Sequence, residues 1–137
     1  MNEDIKKRLR EKVETIVERV EFIEEHLSED LMEDRILRKA IYKEFQEAAE
    51  AMADVCAMVR RGLNSSAKDD YSNIDFLIEK GVVEEGLGLK LKEANGLRNR
   101  LIHEYEGLHE ETACHAIKEL VEDLRDFSVV VLEWIGS

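Results

Sequence analysis

The chain has 137 residues, a formal net charge of −12 and no proline. This length predicts a single domain, residues 1–137, that buries roughly two thirds of its unfolded surface. The lack of proline argues against a loop-rich or β-rich protein, and the acidic balance argues against broad binding to a phosphate backbone, which depends on basic surface. The predominance of Glu, Lys, Arg, Leu, Ala, Val and Ile is typical of an all-α protein.

The two cysteines and the apolar runs predict where the protein resides. Cys56 and Cys114 lie in predicted helices at neither metal-ligand nor redox-motif spacing, so we expect buried, reduced thiols. No apolar run follows residues 1–4, which predicts no signal peptide. The longest apolar run, residues 129–132, is too short to cross a bilayer. We therefore expect a soluble, cytoplasmic protein.

The first predicted helix runs from about Asn2 to Leu27. Its apolar residues recur in steps of four and three, as in a coiled-coil seam, at Ile5, Leu9, Val13, Ile16, Val20, Ile23 and Leu27. Ser28, with two acids after it, predicts the N-cap of a second helix over about Glu29 to Arg61. The Arg-Arg-Gly run at 60–62 predicts a basic last turn closed by a C′ glycine.

The second helix has an apolar inner face and a slim middle. The inner face consists of Leu37, Ile41, Phe45 (or Ala48), Met52, Val55 and Val59. Five alanines between residues 48 and 57 allow another helix to approach closely, either from within the chain or from a second subunit. The polar segment Leu63–Lys68 that follows is predicted to be a linker.

A short third helix is predicted from Tyr71 to Lys80. Its N-cap is Asp69, Asp70 or Ser72, and Gly81 ends it.

Two long helices complete the chain. The fourth begins near Leu87 and is stopped by Gly107, and Glu110 opens the fifth. The core face of the fifth helix consists of Ala113, Ile117, Leu120, Leu124, Phe127, Val131 and Trp134. The predicted fold is an all-α, up-and-down bundle of five helices, four long and one short.

The late fourth helix places a charge where an apolar residue is expected. One stripe with the spacing of a buried face contains Leu91, Ala94, Arg98, Ile102 and Tyr105. Asn95 lies close beside Arg98, and Asn99 and His103 share the adjoining flank. An unpaired arginine against a core is costly, so Arg98 needs a compensating partner. Two interpretations fit: a functional arginine, or a structural one that answers a buried carboxylate or a helix C-terminus.

The segment 90–100 is a local basic exception in this acidic chain. Its charges are one acid, Glu93, against the four cations Lys90, Lys92, Arg98 and Arg100. Such a notch suits brief contact with a nucleotide or with one loop, and the acidic remainder suits a basic protein partner. A merely soluble acidic surface fits the overall charge equally well.

The same residues form a recognisable pattern: arginine, a polar residue directly after it, a histidine five positions on and a tyrosine two further. In a proline-free helical chain of this length, Arg98-Asn99-x-x-x-His103-x-Tyr105 resembles the motif of the HEPN superfamily, specifically its HepT-like branch. The resemblance covers nearly the whole chain. It implies a small all-helical protein that pairs with a minimal nucleotidyltransferase as toxin and antitoxin.

The resemblance implies a metal-independent endoribonuclease with no cofactor, and its residue types suit that chemistry. A histidine exchanges protons near neutral pH, so His103 would be the general acid or base. A guanidinium grips phosphate oxygens, so Arg98 would clamp the phosphate, with Arg100 as a supporting cation. Asn99 would hold the phosphate or orient His103, and Tyr105 would donate a hydrogen bond or stack on a base.

The resemblance also implies two partners besides the RNA substrate. HEPN proteins dimerise so that two copies of the motif face one cleft, which predicts a homodimer with Arg98 at the subunit seam. In HepT-like pairs the nucleotidyltransferase neutralises the toxin, in some by attaching AMP to the motif tyrosine, which makes Tyr105 an AMPylation candidate. A core tyrosine with its hydroxyl at the surface is the alternative for Tyr105.

Two other functions stay open, and one site is disfavoured. The same helical dimer would also suit a non-catalytic protein that holds a nucleotide or the partner enzyme, or a purely structural role.

His109 and His115, with Cys114 between them, have the composition of a metal cluster. Because helical spacing turns the two histidines more than about a right angle apart, we expect no metal site there.

Overall fold

The computed structural model describes residues 1–27, 30–103 and 107–136. These residues contain five α-helices and no strand. The helices are α1 (Glu3–His26), α2 (Arg35–Gly62), α3 (Asp70–Glu79), α4 (Glu85–His103) and α5 (Glu110–Gly136). The predicted all-α bundle of four long helices and one short helix is confirmed. No helix in the described ranges is both long and apolar enough to cross a membrane.

Helix α2 lies at the centre of the bundle and packs against all four other helices. Its four alanines from Ala48 to Ala53 are buried within the chain, so the slim middle of α2 accommodates neighbours from the same bundle. The predicted seam of α1 and core face of α5 pack here, with Phe45 of α2 and Phe127 of α5 among the largest fully buried side chains.

The predicted start of α2 is wrong by six residues. The helix begins at Arg35, and Asp34 is its N-cap, accepting a hydrogen bond from the Leu37 backbone at 3.0 Å. Residues 30–33 form a turn instead, because the Asp30 carboxylate binds the Met32 backbone N–H at 3.1 Å and so competes with a helix. The predicted cap, Ser28, lies outside the described residues.

The end of α2 also differs from the prediction. Gly62 lies within the helix, and the left-handed C′ position is taken by Asn64, with φ of 65°. Two hydrogen bonds form a Schellman motif at this end. The backbone N–H of Asn64 donates to Arg61 O (2.9 Å), and the backbone N–H of Ser65 donates to Arg60 O (3.1 Å). Asparagine tolerates this conformation better than most residues, which explains why a later position could close the helix. The linker 63–68 is not helical, as predicted.

Helix α3 runs antiparallel to α4 and fixes the surroundings of the motif. Three contacts show the pairing along its length, since Asp70 faces Arg98, Asp75 faces Lys92, and Ile78 packs on Gly88. A second Schellman motif closes α3, with Gly81 at φ of 73°.

The start of α4 also differs slightly from the prediction. The helix begins at Glu85, two residues before the predicted start, and its last described residue is His103. Residues 104–106, just before the predicted stop at Gly107, lie outside the described residues.

Candidate active site

Arg98 lies at the edge of the core on the inner side of α4. Its side chain is 21% exposed, and its Nη1 lies 3.4 Å from Asp70 Oδ2 and 3.5 Å from Asn95 Oδ1. Its Nε is buried and has no hydrogen-bond partner among the described residues. One edge of the guanidinium is therefore anchored, while hydrogen-bonding capacity is left over for another acceptor.

The buried face of α4 differs from the predicted stripe. The residues that reach the core are Leu91, Ala94, Asn95, Leu97 and Leu101, together with Gly88. Ile102 was predicted to be buried, but it is 43% exposed. The core-facing stripe runs through Leu97 and Leu101, one position earlier than predicted, so Arg98 flanks the core and Ile102 turns away from it.

Asp69 and Asp70, at the start of α3, make different contacts. Asp69 is the N-cap and accepts hydrogen bonds from the backbone N–H (3.0 Å) and hydroxyl (2.9 Å) of Ser72. These hydrogen bonds lower the pKa of Asp69. Asp70, in the first turn, is thereby left to face Arg98. Sequence reasoning offered Asp70 only as a cap candidate and missed this pairing, because the two residues are 28 positions apart.

The other predicted site residues lie towards the outside of α4. Asn99 is half-buried, and Arg100 and His103 are exposed. Gly96, Asn99, Arg100 and His103 stand at i, i+3, i+4 and i+7 and so share one outward face. Tyr105, the AMPylation candidate, lies outside the described residues.

The histidines around α5 have local roles in the structure. The Nδ1 of His109 accepts a hydrogen bond from the Thr112 backbone at 3.3 Å, which caps the start of α5. His115 faces Glu119 at 3.2 Å, one turn further along the helix. Within the described ranges, no group of three or more His, Cys, Asp and Glu converges as a metal site would require.

Both cysteines are free and buried, as predicted. Burial raises the pKa of the Cys114 thiol, whose sulfur lies 3.8 Å from the Tyr42 hydroxyl. Burial also raises the pKa of Cys56, helped by the negative charge of Asp70. Neither thiol is therefore set up as a nucleophile at neutral pH.

Comparisons with known proteins agree on one family. The family model described as Ribonuclease HepT-like matches residues 13–131. The chain is 33% identical over 109 residues to a candidate RNase of Archaeoglobus fulgidus, covering 78% of this chain and 83% of the relative. It is 25% identical to the mRNA nuclease HepT of Shewanella oneidensis, covering 72% of this chain and 75% of that protein.

A solved structure shares the fold. The tri-AMPylated HEPN toxin of Shewanella oneidensis, in complex with an MNT antitoxin, has a TM-score of 0.79 at 20% identity, covering 97% of this chain and 99% of that chain. Because the family model spans most of the sequence and the helical fold agrees, this chain belongs to the HepT-like ribonucleases of the HEPN superfamily.

Proposed function

We propose that this protein is the toxin of a toxin–antitoxin pair and acts as a metal-independent RNA endonuclease. The observation that carries the proposal is the arrangement of Arg98, which is anchored through Nη1 by Asp70 and Asn95 at the edge of the core. A guanidinium held in this way is pre-oriented, so less freedom is lost when it binds a phosphate. His103, whose imidazole is exposed, lies on the same helix at its last described residue.

The chemistry needs only groups that this chain and RNA supply. The 2′-hydroxyl of RNA attacks the adjacent phosphorus, so that the 2′-O–P bond forms while the P–O5′ bond breaks. His103 takes the proton from the 2′-hydroxyl or gives one to the leaving 5′-oxygen. Arg98 stabilises the negative charge that builds up on the phosphate oxygens. The products are a 2′,3′-cyclic phosphate and a 5′-hydroxyl.

We further propose that the site is composite and forms in a homodimer. Arg98 and His103 are five positions apart, which turns them about 140° from each other around a helix. One copy therefore directs the two side chains away from a common point. A twofold dimer that packs α4 against its mate would bring the arginine of one copy towards the histidine of the other. The exposed Ile102 beside His103 supplies apolar surface for such a contact.

We propose that a minimal nucleotidyltransferase neutralises the toxin, with AMP attached to Tyr105 as the means. Support comes from the relative described above, which is tri-AMPylated and bound to an MNT antitoxin. AMP groups on Tyr105 would present phosphates to Arg98 and occupy the substrate site. Mass spectrometry of the chain co-expressed with such an enzyme tests this, and the expected result is added AMP that Tyr105→Phe abolishes.

The nuclease proposal is tested with purified protein and RNA. We expect His103→Ala and Arg98→Ala to lower the cleavage rate at least about 100-fold. Arg98→Lys should restore little, because an ammonium cannot bind a phosphate through two parallel hydrogen bonds. His115→Ala is the matched control, since its side chain is 75% exposed on α5 and paired with Glu119. Cleavage that persists in both motif variants would refute the proposal. Nucleotide binding without cleavage would favour the non-catalytic alternative.

A further inference from the structure

We propose that the outer face of α4 around Gly96 is a nucleotide subsite of the nuclease, in which Tyr71 stacks on a base of the RNA beside the cleaved phosphate. This inference rests on the ribonuclease function proposed above and adds where the substrate lies on the protein. Its elements are a groove, a glycine that leaves the groove floor bare, an exposed aromatic ring and an exposed arginine.

The groove lies between α4 and α5 and has a volume of about 610 Å³. The lining residues are Leu89, Lys92, Glu93, Gly96 and Arg100 of α4 and Ala116 and Leu120 of α5. Tyr71 of α3 does not line the groove itself, but its hydroxyl lies beside the groove floor at Gly96. Its volume is in the range of small-ligand sites, which is enough for a nucleotide. Lys92 and Arg100 stand one turn to either side of Gly96, and Lys92 is paired with Asp75 of α3.

Gly96 keeps the floor of the groove open. A Cβ at this position would lie 3.5 Å from the Tyr71 hydroxyl and 3.7 Å from Arg100 Nη1. Both distances are ordinary van der Waals contacts, so the ends of these two side chains lie beside the bare backbone of Gly96. A glycine inside a helix lowers helix stability, and here it leaves the backbone between the two side chains uncovered.

Tyr71 and Arg100 are both available to a ligand. Tyr71, in the first turn of α3, is 41% exposed although it lies against α4. Arg100 is exposed and makes no hydrogen bond or ion pair within the part of the chain that the structure describes. An exposed aromatic ring beside an exposed guanidinium is the combination with which proteins hold single-stranded RNA. The ring stacks on a base and the cation binds the backbone.

The position of this pair relative to the motif favours RNA over a second copy of the chain. Gly96 and His103 share the outward face and are seven residues, or about 10 Å, apart along the helix. RNA that passes Tyr71 can therefore continue along this face to His103. The one acid in the segment, Glu93, is partly neutralised by Lys90, 3.7 Å away. Lys92 is paired with Asp75 of α3, so Arg100 is the cation that the groove offers to RNA in a chain of net charge −12.

The test measures binding separately from cleavage. A fluorescently labelled single-stranded RNA of about 12 nucleotides is titrated with His103→Ala protein, and Kd is read from anisotropy. We expect Tyr71→Ala on that background to weaken binding about 5- to 100-fold and Tyr71→Phe to change it less than about twofold, because the ring stacks on the base. Arg100→Gln should weaken binding and flatten its salt dependence. The matched change Arg61→Gln, at an exposed arginine of α2 that does not line the groove, should do neither.

Each contrary result has a definite meaning. Tyr71→Ala protein that binds RNA as well as its parent, or a His103→Ala parent that binds no RNA, refutes the subsite. If Tyr71→Ala instead changes the mass of the particle in sedimentation, the face is covered by a second copy and the RNA assignment is wrong. Cleavage by the unmodified protein is assayed in parallel. If Tyr71→Ala leaves RNA binding unchanged while the unmodified protein cleaves RNA, the subsite is refuted and the proposed function stands. If RNA binding depends on Tyr71 but the unmodified protein does not cleave RNA, only the nuclease proposal is refuted.

Discussion

At the scale of single residues, the environment of Arg98 is set by groups that are distant in sequence. Asp70 and Asn95 both contact the same nitrogen, Nη1, and both oxygens lie at the long end of hydrogen-bond distance. Asp70 is 38% exposed, so water weakens its attraction for the arginine. We interpret Asp70 as a positioning residue, which orients the guanidinium without binding it so tightly that a phosphate could not compete.

Asp70→Asn tests that interpretation. We expect kcat for RNA cleavage to fall about tenfold, because a less oriented guanidinium supports the transition state poorly. KM should stay the same or fall, because a competing negative charge has been removed. Steady-state kinetics measures kcat and KM separately. Glu79→Gln, at an exposed acid on the same helix, is the control. A higher KM with unchanged kcat would contradict the positioning role.

Cys56 gives a prediction about stability at alkaline pH. Burial and the charge of Asp70 raise its pKa in the folded protein, whereas an unfolded thiol ionises near pH 8.5. The thiol therefore contributes stability that is fully present below about pH 8.5 and is lost as the pH rises further. Urea unfolding between about pH 8 and about pH 10 should give a falling free energy of unfolding. In Cys56→Ala the fall should be smaller, by up to about 1.4 kcal/mol per pH unit. Equal slopes in the two proteins would argue against the shift.

At the scale of helices, the site depends on how α3 docks against α4. The two helices run antiparallel, and a close approach at Gly88 sets their register. This register carries Asp70 to Arg98 and Tyr71 to Gly96 at the other end of the pair. Displacement of α3 would therefore disturb the arginine and the proposed subsite together.

Gly88→Ala should destabilise the protein although alanine favours helices. The added Cβ would lie 2.6 Å from Ile78 Cγ1, and the β-branched Ile78 has little freedom to move within its own helix. We expect a loss of about 1–3 kcal/mol in urea unfolding. The matched change Gly86→Ala meets no atom within 4 Å and should be neutral or stabilising by about 0.5 kcal/mol. Equal effects at the two positions would show that the helices do not approach closely at Gly88.

At the scale of the whole molecule, the proposed dimer accounts for features that one bundle leaves unexplained. Ile102, beside His103 on α4, remains 43% exposed. Because the protein has a net charge of −12, it repels RNA from most of its surface, and RNA can approach only where basic side chains cluster. Two basic α4 faces joined around a twofold axis would concentrate that attraction in one cleft.

Mixing inactive subunits tests whether the site is shared. Neither the Arg98→Ala nor the His103→Ala homodimer should cleave RNA, but a mixed dimer holds an intact arginine on one copy facing an intact histidine on the other. With random exchange, half of the dimers are mixed and each keeps one of two sites, so about a quarter of the unmodified activity should return. Native mass spectrometry verifies the exchange. No recovery in mixtures that contain mixed dimers would contradict a site that pairs one arginine with one histidine across the interface.

Much of the bundle was determined by local sequence. The apolar periodicities of α1, α2 and α5 predicted their buried faces, because a helix must bury its apolar stripe against another element. The Arg98–His103 pattern predicted the HepT-like family, since that signal depends on residues close together in the chain. The catalytic roles of Arg98 and His103 stay predictions.

The ends of α2 differed from the prediction for local reasons, because Asp30 competed with the helix start and Asn64 replaced Gly62 as the C′ residue. Other features were decided only by tertiary structure. The rotation of α4 that buries Leu101 and exposes Ile102 was set by where α2, α3 and α5 lie around it. Asp70 became the partner of Arg98 for the same reason. Periodicity gives the spacing of residues around a helix. Only the surrounding helices decide which of two adjoining stripes faces the core, and which distant side chain pairs with a charged residue such as Arg98 at the edge of that core.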